Sequence, residues 1–227
     1  MKKIAIILAR KGSKRIKDKN IKNFCGKPVI YWTIKKILSS KIFDEIVVST
    51  DSKKIAHLSK KFGATIPIIR SKKNSDDKAS TADALYEVIT KMKKNGINFK
   101  YVCCFYATAP FLDMKNVSIG FKSLVKKKFD SVISLARVNN KVLRSFFRKP
   151  NGQVNYVMKR FKNFRTQDLN ELFLDIGQWY WINVNAFKKK KEIVSNNTGS
   201  VILNSSKLVD IDTPEDWKFA EKLFKKK

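Results

Sequence analysis

The chain of 227 residues has a single histidine, His57, which falls on a predicted surface helix between Ala56 and Leu58. No histidine general base is therefore in view. Cysteine is scarce too. Cys25, Cys103 and Cys104 form no CxxC pair, and the adjacent two would point to opposite faces of a strand. That spacing excludes a disulfide framework and a zinc site. Long hydrophobic runs are missing: the first apolar stretch, Ile4 to Ala9, is closed by Arg10 and is too short for a signal peptide. Nothing has the length of a membrane span, so a reduced, cytoplasmic chain without a membrane partner is expected. Neither a Walker sequence nor a GxGxxG fingerprint occurs, which argues against a generic NTPase or dehydrogenase.

Acidic residues are few, 19 against 49 basic ones, for a formal charge of +30. Such a charge ordinarily points to nucleic acid, and a basic nucleic-acid-binding protein is the alternative of another class. Only eight of the basic residues are arginine, however, and lysine is spread throughout beside abundant Asn, Ile and Phe. The short runs Lys188–Lys191 and Lys225–Lys227 read as solvated helix ends. A specific nucleic-acid partner is not expected.

What is present is alternation. Strands are predicted at Ile4–Leu8, Glu45–Ser49, Thr65–Ile69, Tyr101–Tyr106 and Ser131–Ala136, with helices at Val29–Ser39, Ser52–Phe62, Ala82–Lys94 and Asn116–Lys127. This order is that of βαβ units around a largely parallel sheet. After Arg137 the pattern changes. Pro150-Asn151-Gly152 lies between Phe146-Phe147 and Val154–Val157 and predicts a β-hairpin. The segment Gly177–Val184 is aromatic and strand-like. This stretch is a candidate dimer contact, unless it packs on its own domain. The chain becomes regular again at Ser200–Leu203 and at Leu208–Trp217, where Thr213, Pro214 and Asp216 start a capped helix.

Three elements carry chemistry. The segment Ile7–Arg15 and Lys19-Asn20 starts where the first strand ends, the place where open α/β sheets collect ligands. Arg10, Lys14, Arg15 and Lys19, with the backbone N–H groups of Gly12 and Ser13, suit a triphosphate. A solvated Lys-rich turn is the other reading. Asp210 and Asp212 alternate around Ile211, so on extended backbone both carboxylates face one side. A hard oxygen site of this kind suits Mg²⁺, whereas solvated carboxylates before a helix are the alternative. Ser75–Thr81 enters a helix: Ser80 or Thr81 caps it or reads a base edge. The basic loop and the paired aspartates together favour metal-assisted nucleotidyl transfer.

With Val48–Asp51, Phe105–Phe111, Asn163–Leu169 and Asp175–Trp181 added, the chain resembles the N-acylneuraminate cytidylyltransferases, the CMP-sialic acid synthetases, over essentially its full length. Its middle motifs look like the pseudaminic acid branch. The resemblance implies a Rossmann-like nucleotidyltransferase, a three-layer α/β/α fold with a mainly parallel sheet and a small inserted dimerisation hairpin. Its nucleotide-binding catalytic domain would comprise 1–138 and 198–227, with 139–197 as an inserted sugar-binding and dimerisation region. It also implies attack by the anomeric hydroxyl of a nine-carbon acidic sugar on the α-phosphate of CTP, giving CMP-pseudaminic acid and pyrophosphate. CMP-N-acetylneuraminate or legionaminate synthesis is the alternative within the family. By position, Arg10, Lys14 and Lys19 would neutralise the triphosphate and Asn20 would place nucleotide oxygens. Leu8, Ala9, Arg70, Ala79, Ser80 and Thr81 would surround the cytidine. Tyr106, Thr108, Arg165, Gln167 and Gln178 would face the sugar, and Asp210 and Asp212 would hold Mg²⁺, with Asp212 counted among the catalytic groups. A homodimer is implied.

The sequence departs from the family pattern at three places. Lys11 stands at a position that is commonly Gly, leaving Gly12 as the one permissive residue there. Lys17-Asp18 replaces a Pro-containing turn and puts a carboxylate into the cationic loop. Tyr106 stands where sialic acid enzymes usually carry Gln, which suits a less polar, 9-deoxy, diacetamido sugar.

Overall fold

The protein, described here as a computed structural model covering residues 2–66, 68–204 and 209–226, is a three-layer α/β/α fold. Pro67 of the expected third strand, Leu208 and Lys227 lie outside the described residues. The elements run β1 (Lys3–Leu8), β2 (Asn23–Phe24), β3 (Lys27–Pro28), α1 (Val29–Ser40), β4 (Glu45–Ser49), α2 (Lys53–Lys61), α3 (Thr81–Lys94), β5 (Tyr101–Tyr106), α4 (Met114–Lys126) and β6 (Ser131–Val138). They continue with β7 (Phe146–Arg148), β8 (Val154–Tyr156), β9 (Leu172–Asn183), α5 (Val184–Lys190), β10 (Thr198–Leu203) and α6 (Pro214–Lys225). Among the described residues, no helix is long and apolar enough to cross a membrane.

The central sheet has the order β10-β6-β9-β5-β1-β4, parallel throughout except for β9. Period-2 alternation makes β1 serve two cores at once. Ala5 and Ile7 pack with Ile30, Ile34 and Ile37 of α1 and with Val117 and Leu124 of α4. Ile4, Ile6 and Leu8 pack on Leu85, Val88, Ile89 and Met92 of α3 and on Phe187 of α5. A third cluster joins Trp217 and Ala220 of α6 to Phe24, Val29, Phe111 and Ile211, which holds the Asp210–Asp212 segment beside the loop after β1. Local chemistry starts the helices as the sequence predicts. Ser80 and Asp83 form a capping box on α3, and Thr213 and Asp216 form one on α6 with Pro214 in its first turn.

Two expectations are corrected. The described residues of Thr65–Ile69 form no strand: Thr65 and Ile69 make isolated bridges, to Val47 of β4 and to Thr50 just after it. A proline at position 67 has no N–H to give to a ladder. The second concerns 139–197, expected as an insertion, because its segment Leu172–Lys190 supplies β9 and α5 to the central layers. Trp179 and Trp181 are fully buried there, so these aromatics are core and not a contact surface. Gly120 in α4 permits that packing, since a Cβ on it would come within 2.6 Å of the Trp179 ring. The hairpin β7–β8 forms as predicted, with Gly152 at φ +87° in its turn.

Candidate active site

The loop after β1 is held in shape by its own ends. Ala9 N–H donates to the Ser49 carbonyl at 3.0 Å, and the buried Asn20 amide donates to the Arg10 carbonyl at 2.8 Å. Asp18 supplies the turn between them. It takes the left-handed conformation, φ 52°, and its carbonyl accepts from the N–H groups of Ile21 and Lys22. Asp enters this region more readily than most side chains, because its short polar group bonds locally. The left-handed residue of the loop is thus Asp18, whereas Gly12 has no positive φ and no crowding around it. Lys11 faces away from the larger cleft, among Asp18, Asp51 and Lys54, and its N–H donates to Asp51 at 2.8 Å.

A cleft of about 470 Å³ opens above this loop. Arg10, Lys14, Arg15 and Lys19 line it from one side, Arg70 and the start of α3 from another, and Asp212 from a third. Its cations are already paired. Arg10 donates to the Asp76 carbonyl at 2.6 Å and contacts the Asp77 carboxylate at 3.0 Å, which Lys14 also contacts. The Lys14 hydrogen bond and the neighbouring Arg10 hold the Asp77 carboxyl below its usual range. Arg15 and Lys19 meet Asp212 at 3.0 and 3.3 Å, and Lys19 donates to the Ile211 carbonyl at 2.8 Å. Burial depresses the pKa of Arg70, whose Nε donates to Ser75 Oγ at 3.2 Å.

The wall carrying Arg70 is fastened through Glu87 of α3. Its carboxylate accepts from Ser71 N–H, Ser71 Oγ, Asn74 Nδ2 and Lys91 Nζ, all within 2.9 Å. Burial by itself would raise this pKa, but the hydrogen bonds from Lys91, Ser71 and Asn74 outweigh it and hold the carboxyl at about 2.

A second cavity of about 310 Å³ adjoins the first and shares Lys19, Tyr106, Thr108 and Asp212 with it. Asp210, Gln178, Asp175 and Tyr180 complete much of its lining. Burial, and next the charge of Asp212, raise the Asp210 pKa. Tyr106 bridges the cavities, its hydroxyl 2.7 Å from Thr81 Oγ1, and burial raises its pKa.

Of the residues singled out in the sequence, Leu8, Arg10, Ser13, Lys14, Lys19, Asn20, Arg70, Ala79, Ser80, Thr81, Tyr106, Thr108 and Asp212 line the larger cleft. Asp210 and Gln178 line the second. Four do not converge. Ala9 is buried in the core, and Gly12 is not at the cleft wall. Arg165 and Gln167 lie at an exposed turn outside both cavities. The Arg165 guanidinium is occupied there by Asp168, at 2.7 and 3.1 Å, as a sequence-local pair. Arg15, named among the four cations of the loop, also lines the larger cleft, whereas Asn74, Asp76, Asp77, Asp175 and Tyr180 were missed as site residues. The acidic pair Asp76-Asp77 in so basic a chain was a legible signal; Asn74 offered none.

The cytidylyltransferase family model matches residues 4–226. The chain is 34% identical over 225 residues to a pseudaminic acid cytidylyltransferase of Campylobacter jejuni, covering 99% of this chain and 97% of that protein. It is 33% identical over 230 residues to the CMP-N,N'-diacetyllegionaminic acid synthase of Legionella pneumophila, covering 98% and 96%. In three dimensions it is similar to a CMP:2-keto-3-deoxy-manno-octonic acid synthetase solved in complex with CTP, with a TM-score of 0.74, 16% identity and coverage of 100% and 99%. The fold, the cation-lined cleft at the end of β1 and a match along almost the whole sequence agree: the chain belongs to the cytidylyltransferase family.

Proposed function

We propose that the protein transfers the cytidylyl group of CTP to pseudaminic acid, forming CMP-pseudaminic acid and releasing pyrophosphate. The observation that carries this reading is the pair of adjoining cavities with Lys19, Tyr106, Thr108 and Asp212 in both linings. A nucleotide in the cationic cleft and a sugar in the smaller cavity would meet at these residues. Arg10 and Lys14 would exchange Asp77 for phosphate oxygens and neutralise the charge that accumulates on departing pyrophosphate. Arg70, Ala79, Ser80 and Thr81 would frame the base. Lys19 and Thr108, on the shared wall, would orient the sugar hydroxyl toward the α-phosphorus.

Mg²⁺ fits the Asp210–Asp212 pair, because both are hard oxygen donors in the lining of the smaller cavity. No cluster of three His, Cys, Asp or Glu that could enclose a metal occurs among the described residues, so water and phosphate oxygens would complete its shell. When bound, the ion would withdraw charge from the phosphate oxygens. A reaction that draws on CTP would run in the cytoplasm.

Pyrophosphate release tests the substrates directly. CTP with pseudaminic acid is expected to give the highest kcat/KM, ahead of ATP, GTP or UTP and of legionaminic, neuraminic or 3-deoxy-manno-octulosonic acid. Preference for legionaminic or neuraminic acid would transfer the assignment within the family. No release with any of these pairs would sink it.

We also propose that the protein is a homodimer through the β7–β8 hairpin. Phe146, Phe147 and Val154 are 49, 64 and 57% exposed there, an apolar surface that a second copy would cover. Light scattering is expected to show a dimer at micromolar concentration and a monomer for Phe147→Glu. A wild-type monomer would refute this assembly.

A further inference from the structure

Strand β9 carries a large irregularity at the smaller cavity. Tyr180 pairs with Ile133 and Asp175 with Leu135, so Ile176–Trp179 stand opposite Ser134 alone. Ser134 Oγ fills the interrupted ladder, donating to the Trp179 carbonyl at 3.1 Å and accepting from its N–H at 3.2 Å. Gly177, at φ +58°, makes the turn, with Tyr106 only 3.4 Å from where its Cβ would be. Bulges of this kind re-aim side chains beside active sites.

Here the bulge folds Asp175 back beneath Tyr180. The Tyr180 hydroxyl donates to both carboxylate oxygens at 2.8 and 3.0 Å, and Gly177 N–H donates to Oδ1 at 2.9 Å. Burial, followed by the neighbouring Tyr106 and Asp175, raises the Tyr180 pKa and keeps its hydroxyl a donor. Two donors do not exhaust a carboxylate, which offers about four acceptor positions. The group lines the cavity with Gln178, a residue only 5% exposed.

We propose that Asp175 is a specificity-determining residue for the acidic sugar, accepting hydrogen bonds from hydroxyl or acylamino N–H donors on its substituents. The proposal rests on the sugar-activating function given above. Its logic is electrostatic. Asp175, Asp210 and Asp212 line the cavity with Lys19 as their one cationic neighbour among the described residues of that lining, so the sugar carboxylate is repelled from Asp175 and turns toward Lys19. The substituent end then faces Asp175, and its N–H and O–H groups find a fixed acceptor.

Steady-state kinetics with both substrates varied separates this role from a structural one. Asp175→Asn keeps an oxygen for Tyr180 and Gly177 but turns an NH₂ group toward the sugar. It is expected to raise KM for the sugar by about tenfold or more, with KM for CTP within about twofold and kcat nearly unchanged. Tyr180→Phe leaves the carboxylate but loosens it, so it should show the same selective rise at smaller size. An unchanged sugar KM in Asp175→Asn, or equal rises for sugar and CTP in both variants, overturns the proposal. A wild type that binds CTP yet turns over no acidic sugar would overturn the underlying function instead.

Discussion

Asp212→Asn is expected to lower kcat by about 10³ while leaving the fold intact. Several kcal/mol of transition-state charge stabilisation depend on a metal at such a carboxylate pair, and each 1.36 kcal/mol is a factor of ten in rate. Asparagine has nearly the same shape and still offers Lys19 and Arg15 an oxygen at the positions they now occupy, 3.3 and 3.0 Å away. What it removes is one formal charge from a wall of both cavities. The Mg²⁺ concentration for half-maximal rate should therefore rise steeply, with circular dichroism and thermal midpoint close to wild type. Unaltered metal dependence would contradict the assignment. Because Asp212 charge is a cause of the raised Asp210 pKa, the same substitution should also bring the Asp210 pKa down.

Arg10→Ala is expected to reduce kcat by about 10² or more, by analogy with removal of one preorganised oxyanion donor. Arg10 is oriented before any nucleotide arrives, by the Asp76 carbonyl and the Asp77 carboxylate. Its guanidinium presents a rigid fork, so Arg10→Lys should recover only part of the rate, since a point charge does not reproduce bidentate contacts. Measured at saturating CTP, near wild-type turnover in Arg10→Ala would remove this residue from the catalytic machinery.

Local signals were legible in the sequence wherever one residue acts on its own helix or strand. The unbroken apolar run Ile4–Leu8 predicted a strand buried on both faces, and its successive side chains do go to two different cores. Ser80 or Thr81, and Thr213 with Asp216, named the starts of two helices, since a cap is satisfied within four residues; the structure gives the first cap to Ser80. The departure at Asp18 is a backbone matter, settled by its left-handed turn. Legibility failed where the partner lies far along the chain. Asp77 lies 67 residues from Arg10 in sequence and touches it in space. The antiparallel placement of β9 between β5 and β6 brings Asp175, Gln178 and Tyr180 to the cavity, and no periodicity announces that placement.

Family membership, the α/β layering, the cationic loop and the paired aspartates were determined by the sequence alone, because they follow from short-range patterning and from motifs of contiguous residues. Tertiary structure alone decided which charges meet. Arg10 and Lys14 converge on Asp77, Arg15 and Lys19 on Asp212, and Arg165 stays with Asp168 outside the clefts. It also decided that the aromatic stretch Trp179–Trp181 is core and that the bulge beside it makes a pocket wall. The physical reason is that charge pairing and burial depend on distances through space, and those are set by sheet order and helix packing, not by position along the chain.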